Sequence, residues 1–311
     1  MDITRDVIEG VGPDGTDVRL YTRNGYDLPS VTTILNARDD DKSNLYDWQD
    51  RNDGEGNNAD HEHLFWYSRH VGTLGHWHAL HELDNSLMWS QDEEQSRMEL
   101  YRQFEDEVSS VSPREVLYSV LRGDRDKAGG TVSTWGEFYD KHPPYKNGTY
   151  YRDALVDRAE QDIEFFKAAQ KRLWSKLGIT DDSVVAVEKF LFNDDDQYAG
   201  QVDLVYRDPD DNVVVADLKS SSGCYDKHQI QGAAYGKAIE QSDVPVDTVD
   251  RLEVHRAHPR TGQMAVHTHR DAPGKSPVHT TKYWREGYDE LWEQFETLIE
   301  RFSYEVQGDA V

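Results

Sequence analysis

Between residues 184 and 219 the hydrophobic pattern changes period, and that change limits the folds open to the chain. Just upstream, residues 152 to 177 carry Leu155, Ile163, Phe166, Leu173, Trp174 and Leu177 near one stripe of an amphipathic helix. Val184 to Phe192, Tyr198 to Tyr206 and Asn212 to Lys219 are instead short apolar-rich runs parted by Asp, Asn and Pro turns, which predicts three strands in a meander. A helix is expected over about 226–241, strands near 251–256 and 264–269, and a closing helix over about 282–302 with Trp284, Tyr288, Leu291, Trp292, Phe295 and Ile299. Helix, three strands, helix, strand implies one α/β core with helices packed on a central sheet.

The N-terminal half reads differently. Val18 to Tyr21 alternates beside the Gly-Pro-Asp-Gly turn at residues 12–15, which predicts a hairpin, and Ser30 is placed to cap a helix starting at Val31. A helical pattern runs from about 62 to 87, with further helices expected near 93–110 and 113–122. The division expected is a hairpin and helical region with an insertion over 1–150, and the core with its C-terminal helix over 151–311.

Composition bears on partners and compartment. The net charge is −26, from 60 acidic and 34 basic residues, with the acidic ones scattered through loops such as Asp39 to Asp41, Asp194 to Asp196 and Asp208 to Asp211. Such a skin argues against a nucleic-acid partner in dilute salt, but fits adaptation to a medium where charge is screened within about 3 Å. The 8 Trp, 17 Tyr and 9 Phe need burial and so argue for a folded chain. A single cysteine, Cys224, excludes an internal disulfide and a cluster held by four thiolates. No apolar run approaches the ~20 residues of a membrane span, and no signal-peptide core is visible, so a cytoplasmic, membrane-free protein is expected.

Three strand segments carry charges that core sequence does not need: Glu188, Asp203, and the pair Asp217 and Lys219. Residues two apart on a strand project to one face, so Asp217 and Lys219 stand together while Leu218 points into the core. Asp203, on the neighbouring strand, can lie beside Asp217. Buried carboxylates held close repel each other, and a divalent cation with oxygen ligands, Mg²⁺ or Mn²⁺, relieves that repulsion. Such a cation would polarise a phosphoryl oxygen and acidify a water, with Lys219 orienting the water or offsetting developing charge. An ordinary Asp–Lys ion pair at a strand end is the bland alternative.

With Tyr198-Ala199-Gly200-Gln201-Val202-Asp203, Asp217-Leu218-Lys219-Ser220-Ser221 and Gln231-Gly232-Ala233-Ala234-Tyr235 in this order, the chain resembles the RecB-type exonuclease branch of the PD-(D/E)XK nucleases. The upstream Gly72-Thr73-Leu74-Gly75-His76 matches that branch's G-[TK]-x-x-H, and Leu28 to Leu35 is similar to the opening of the phage exonucleases and the mitochondrial genome maintenance exonuclease. The resemblance implies a restriction-endonuclease-like fold, a central mixed sheet flanked by helices, with a helical N-terminal half over the site. It implies one or two Mg²⁺ or Mn²⁺ ions held by Asp203, Asp217, the main-chain carbonyl of Leu218 and His76, with Glu188 holding a metal-bound water or second ion. Lys219 would be the catalytic lysine, and Gln231 and Tyr235 would brace the site or touch DNA. Ser220, Ser221 and Lys227 are further candidate phosphate or DNA contacts. The partner implied is DNA with a free end, without an iron–sulfur cluster or organic cofactor; protein partners are not indicated.

Other readings stay open at this point. They are a structure-specific or restriction-type endonuclease, a catalytically silent DNA-binding module on the same fold, and a zinc protein organised by His61, His63, His76, His78 and His81. Trp66, Trp77 and Trp89 are candidates for stacking on bases.

Overall fold

The computed structural model describes residues 3–8, 18–36, 148–221, 223–258, 262–274, 277–278 and 280–308, together with Gly72, Gly75, His76, Ala79, Leu80 and Leu83. The helices expected at 93–110 and 113–122, most of that at 62–87, the turn at 12–15, the four histidines other than His76 and the three tryptophans lie outside the described residues. Two compact units divide the chain, one of Met1–Asp40, His76–Trp89 and Phe166–Val311, the other of Asp41–Gly75 and Ser90–Phe165.

Strands β1 (Ile3–Ile8), β2 (Val18–Arg23) and β3 (Tyr26–Pro29) form an antiparallel sheet. The β2–β3 hairpin turns through Asn24 and Gly25, at φ 54° and 82°. Two consecutive positive φ values are what a tight two-residue hairpin turn demands, and Asn-Gly meets them with little strain. Helix α1 (Val31–Asn36) follows, and the Ser30 hydroxyl accepts the N–H of Thr33 at 3.1 Å, the cap expected from the sequence.

The second sheet has six strands in the order β4 (Val184–Asn193), β5 (Tyr198–Arg207), β6 (Val213–Lys219), β7 (Arg251–Ala257), β8 (Met264–Thr268) and β9 (Lys282–Tyr283). It is mixed: β6 and β7 run parallel, as do β8 and β9, and the other neighbours are antiparallel. Helix α2 (Gly148–Leu177) covers one face, burying Phe166, Leu173, Trp174 and Leu177 against Leu204, Tyr206, Val214 and Leu218. Helices α3 (Asp226–Glu240) and α4 (Tyr288–Gly308) cover the other, where Ile230, Ala234 and Phe295 meet Val202, Val215 and Val254. This is an α/β protein with a six-stranded mixed sheet between helices. Among the described residues no helix is long and apolar enough to cross a membrane.

The last helix starts later than its hydrophobic pattern implies. Lys282 and Tyr283 pair with His267 and Thr268 as β9, and the Trp284 N–H donates to the Thr268 carbonyl at 2.7 Å. Helix α4 begins only at Tyr288, whose N–H is held by Asp271 while Glu290 caps the N–H of Gly287 at 2.9 Å. The apolar spacing of Trp284 and Tyr288 is the same in both conformations, so period alone does not find the break.

Candidate functional site

Asp203 sits at a missing rung between β4 and β5, next to the point where the β5–β6 pairing ends. The β4–β5 ladder pairs Val187 with Leu204 and Lys189 with Val202 but omits the rung between them, and the β5–β6 ladder stops at Leu204 and Ala216. On the β4 side, Glu188 adopts a left-handed φ of 49°, a conformation costing a non-glycine residue about 1–2 kcal/mol. On the β6 side, the Asp203 carboxylate accepts the main-chain N–H of Leu218 at 2.7 Å, standing in for a strand carbonyl. The Leu218 side chain is buried on the opposite face.

Strand β6 continues alone with β7 beyond that fork and carries Asp217 and Lys219 to its end. The Lys219 ammonium lies 2.7 Å from each Asp217 oxygen, with the hydrogen bond directed at Oδ1; Oδ2 is buried, within ion-pair distance but without a hydrogen bond. The His76 ring stacks on Phe166, and its Nδ1 is 3.8 Å from Asp203 Oδ2, while the buried Nε2 has no hydrogen-bond partner among the described residues. His76, Asp203, Asp217, Lys219, Gln231 and Tyr235 all line one cavity of about 180 Å³.

Burial sets the protonation of this group. Asp217, its side chain 3% exposed, is pushed up to about 6 by desolvation, against the pull of Lys219 and with the added push of Asp203. Asp203 is also raised by burial, opposed by Lys219 and the Leu218 N–H; a fifth of its side chain stays exposed, which softens the effect. For Lys219 desolvation lowers the pKa, but Asp217 and Asp203 outweigh it and the net shift is upward. His76 is pulled down to about 4, first by burial and then by Lys219, so at neutral pH it is a neutral imidazole with a lone pair to give.

One helix face supplies the opposite wall. Gln231 and Tyr235, one turn apart on α3, are joined by a 2.9 Å hydrogen bond from the Gln231 amide to the Tyr235 hydroxyl. Tyr235 lies directly over Gly200: a Cβ there would stand 2.6 Å from its ring. Close approach therefore explains the glycine three residues before Asp203.

The remaining candidates fall elsewhere. Glu188 does not line the cavity; its carboxylate receives the Gln201 amide at 3.1 Å, and Gln201 is the residue that does. Ser220, Ser221 and Lys227 are also outside the lining, with the Ser221 hydroxyl turned to the Gly223 carbonyl at 2.6 Å. Arg19, Tyr21 and Thr32 line the cavity and escaped sequence reasoning. Arg19 and Tyr21 share a strand face by their spacing, but nothing local to β2 tells which sheet that face meets. The Arg19 Nε is buried without a partner.

Among the described residues no three His, Cys, Asp or Glu side chains are drawn together tightly enough to enclose an ion. The donors fit a hard cation in kind: two carboxylates, a neutral imidazole, and a buried Asp217 oxygen lacking a hydrogen bond. In the arrangement described, Lys219 neutralises Asp217, so a cation binding there would displace the ammonium from at least one oxygen.

No family model matches the chain, and no curated protein matches it. Among solved structures, a protein from Eubacterium rectale carrying the provisional name of exonuclease is similar at 13% identity and a TM-score of 0.31, over 68% of this chain and 73% of that one. A likeness of that size carries no argument about fold or activity, which rest on the geometry above.

Proposed function

We propose that this chain is a metal-dependent deoxyribonuclease that hydrolyses phosphodiesters from DNA ends, single strands among them. The observation that carries the reading is the convergence of Asp203 and Asp217 with Lys219 at the fork of β5 and β6, in a cavity that Arg19 also lines. Asp203, Asp217, the Leu218 carbonyl and His76 are the groups that would hold Mg²⁺ or Mn²⁺, and a bound ion would supply Lewis acidity toward a phosphate and its attacking water. Lys219 offsets charge developing on the phosphoryl oxygens, in a site sheltered enough to strengthen that interaction. Arg19 offers a guanidinium to a phosphate oxygen, and Tyr235, positioned by Gln231, fixes the wall against which the scissile nucleotide rests. The order of motifs from Gly200 to Tyr235, resembling the RecB-type branch, supports the same reading.

One observation favours a second reading, a silent DNA-binding module: the ammonium of Lys219 already occupies Asp217. Digestion separates the two. End-labelled linear and circular single-stranded DNA are incubated in high salt with Mg²⁺, Mn²⁺ or chelator. The nuclease reading expects metal-dependent loss of the linear strand, spared circles, and a rate about a thousandfold lower in Asp217→Asn; wild-type protein that leaves every substrate intact while binding DNA would establish the silent module.

A further inference from the structure

Among the described residues, two carboxylates and two cations line the cavity: Asp203 and Asp217, Lys219 and Arg19. The imidazole of His76 on the same wall is neutral at neutral pH. With both acids ionised, the formal charges of this wall cancel before any ion enters. A sheltered space that is already neutral resists a lone charge, because the lost hydration is not offset by a new partner.

The two cations are held differently. The Lys219 ammonium spans both Asp217 oxygens at 2.7 Å, with the lysine side chain 21% exposed and the aspartate 3%. Arg19 has no ion pair among the described residues, and its buried Nε has no hydrogen-bond partner there. Asp203 has no lysine or arginine ion pair among them either; its carboxylate takes the Leu218 N–H at 2.7 Å and lies 3.8 Å from His76 Nδ1. One acid is therefore closed by a cation of the chain's own, and one guanidinium waits without an anion. A divalent ion entering alone would press against the ammonium and leave the wall with two surplus positive charges. A phosphodiester entering alone would face both carboxylates. Together they offset each other, and the flexible lysine stem lets the ammonium change partners.

We propose that Lys219 is a stand-in cation that keeps the metal position closed until DNA arrives, so that a divalent ion and a DNA phosphate each strengthen the binding of the other. On their joint entry the ammonium passes from Asp217 to a phosphate oxygen, Arg19 takes another, and Asp217 is left to the ion. This coupling deepens the nuclease reading and rests on it, since both use the same two acids. It also accounts for the absence, among the described residues, of three side chains already gathered around an ion.

The test is calorimetric titration of the full chain with Ca²⁺, alone and with saturating oligothymidylate, the heat of Ca²⁺ with the oligonucleotide subtracted. Ca²⁺ takes oxygen ligands and acidifies a bound water less than Mn²⁺, which keeps the strand whole. The wild type should bind Ca²⁺ about tenfold more tightly with the strand present, and anisotropy of labelled oligothymidylate should show Ca²⁺ tightening DNA binding by the same factor. Lys219→Gln and Lys219→Met should each bind Ca²⁺ about tenfold more tightly than the wild type without DNA, and gain less than about threefold from it. Comparing the wild type with and without DNA stands even if a variant melts early. Equal Ca²⁺ affinity of the wild type with and without the strand overturns the coupling. So does a folded Lys219→Gln that binds Ca²⁺ no better than the wild type. Coupled binding of a strand that Mn²⁺ then leaves intact sinks the nuclease reading alone; normal cutting by protein whose Ca²⁺ affinity ignores DNA sinks the coupling alone.

Discussion

The ammonium of Lys219 lies 2.7 Å from both oxygens of Asp217, two residues back on the same strand. Removing either charge leaves the other half-sheltered and alone. If the pair works on a phosphodiester, Lys219→Ala and Asp217→Asn should each lower the initial rate on end-labelled single strands by about a thousandfold, the scale of losing one group that meets developing charge. A Lys219→Ala enzyme retaining a tenth of wild-type rate would show that the lysine is only structural.

Asp217 also sets a pH limb. Its carboxyl is held at about 6 by burial, so it is protonated below that value and cannot take a cation. Cleavage at fixed Mn²⁺ should therefore rise as pH goes from 5 to 7, with a midpoint near 6 that moves down when Mn²⁺ is raised, because metal competes with the proton. A flat profile over that window would remove Asp217 from the titrating machinery.

His228 gives a stability effect that also favours higher pH. Its Nδ1 accepts the Tyr225 N–H at 3.3 Å at the start of α3, and burial depresses its pKa to about 3. From the ordinary 6.5 down to about 3 the unfolded chain takes up a proton that the folded chain refuses. The stability is thus whole above about 6.5 and is lost as pH falls, by about 1.4 kcal/mol per unit at most. Glutamine at the same helix position keeps an acceptor without titrating. Urea unfolding of His228→Gln should show a shallower acid limb than wild type; an identical slope would assign the loss to other groups.

Gly200 is the place where one methyl group should matter. Gly200→Ala sets a Cβ 2.6 Å from the Tyr235 ring, with Val31 at 3.3 Å on the other side. Neither neighbour is a flexible chain end, so an overpacking cost of about 1–3 kcal/mol is expected, together with a weakened Gln231–Tyr235 contact. In a Tyr235→Ala background, itself destabilised by loss of the buried ring, the same Gly200→Ala change should cost little further stability. Unfolding of the single variant at wild-type urea concentration would show that the ring moves freely.

Away from the cavity, Glu253 gathers Tyr206 at 2.9 Å, His255 at 2.7 Å and Arg251 at 3.5 Å, with no exposed side-chain surface. Its pKa is net lowered: burial pushes it up, but the His255 hydrogen bond and charge, Arg251 and Tyr206 outweigh that. Glu253→Ala leaves a buried cation without its anion and should cost about 3–5 kcal/mol in denaturant unfolding. A cost under about 1 kcal/mol would mean that Asp208, 2.9 Å from Arg251, already satisfies it.

The core elements were legible because each has one period. Helix α2, the three-strand meander, α3 and the next two strands follow from apolar spacing, and Asp203, Asp217 and Lys219 stood out as charges in strand interiors. Three things were not legible. The β9 pairing depends on His267 and Thr268, each fifteen residues upstream of its partner, Lys282 or Tyr283, and no local pattern encodes it. Arg19 and Tyr21 reach the cavity because of how β2 meets β5, a long-range matter. The kink at Glu188 breaks strand periodicity at one backbone angle, and its removal from the cavity wall follows from that angle rather than from residue type. The β2–β3 hairpin is different: Asn24-Gly25 is a strong turn signal that the more conspicuous Gly-Pro-Asp-Gly overshadowed.

The fork at Asp203 has a consequence for how the protein can change over generations. One β4–β5 rung is missing at this residue and the β5–β6 ladder ends at Leu204, so its carboxylate reaches β6 through the N–H of Leu218. Substitution there breaks no strand pairing but strips the buried Leu218 N–H of its acceptor, at a cost of about 1–3 kcal/mol. The acid at this position is thereby open to replacement without any shift of strand register.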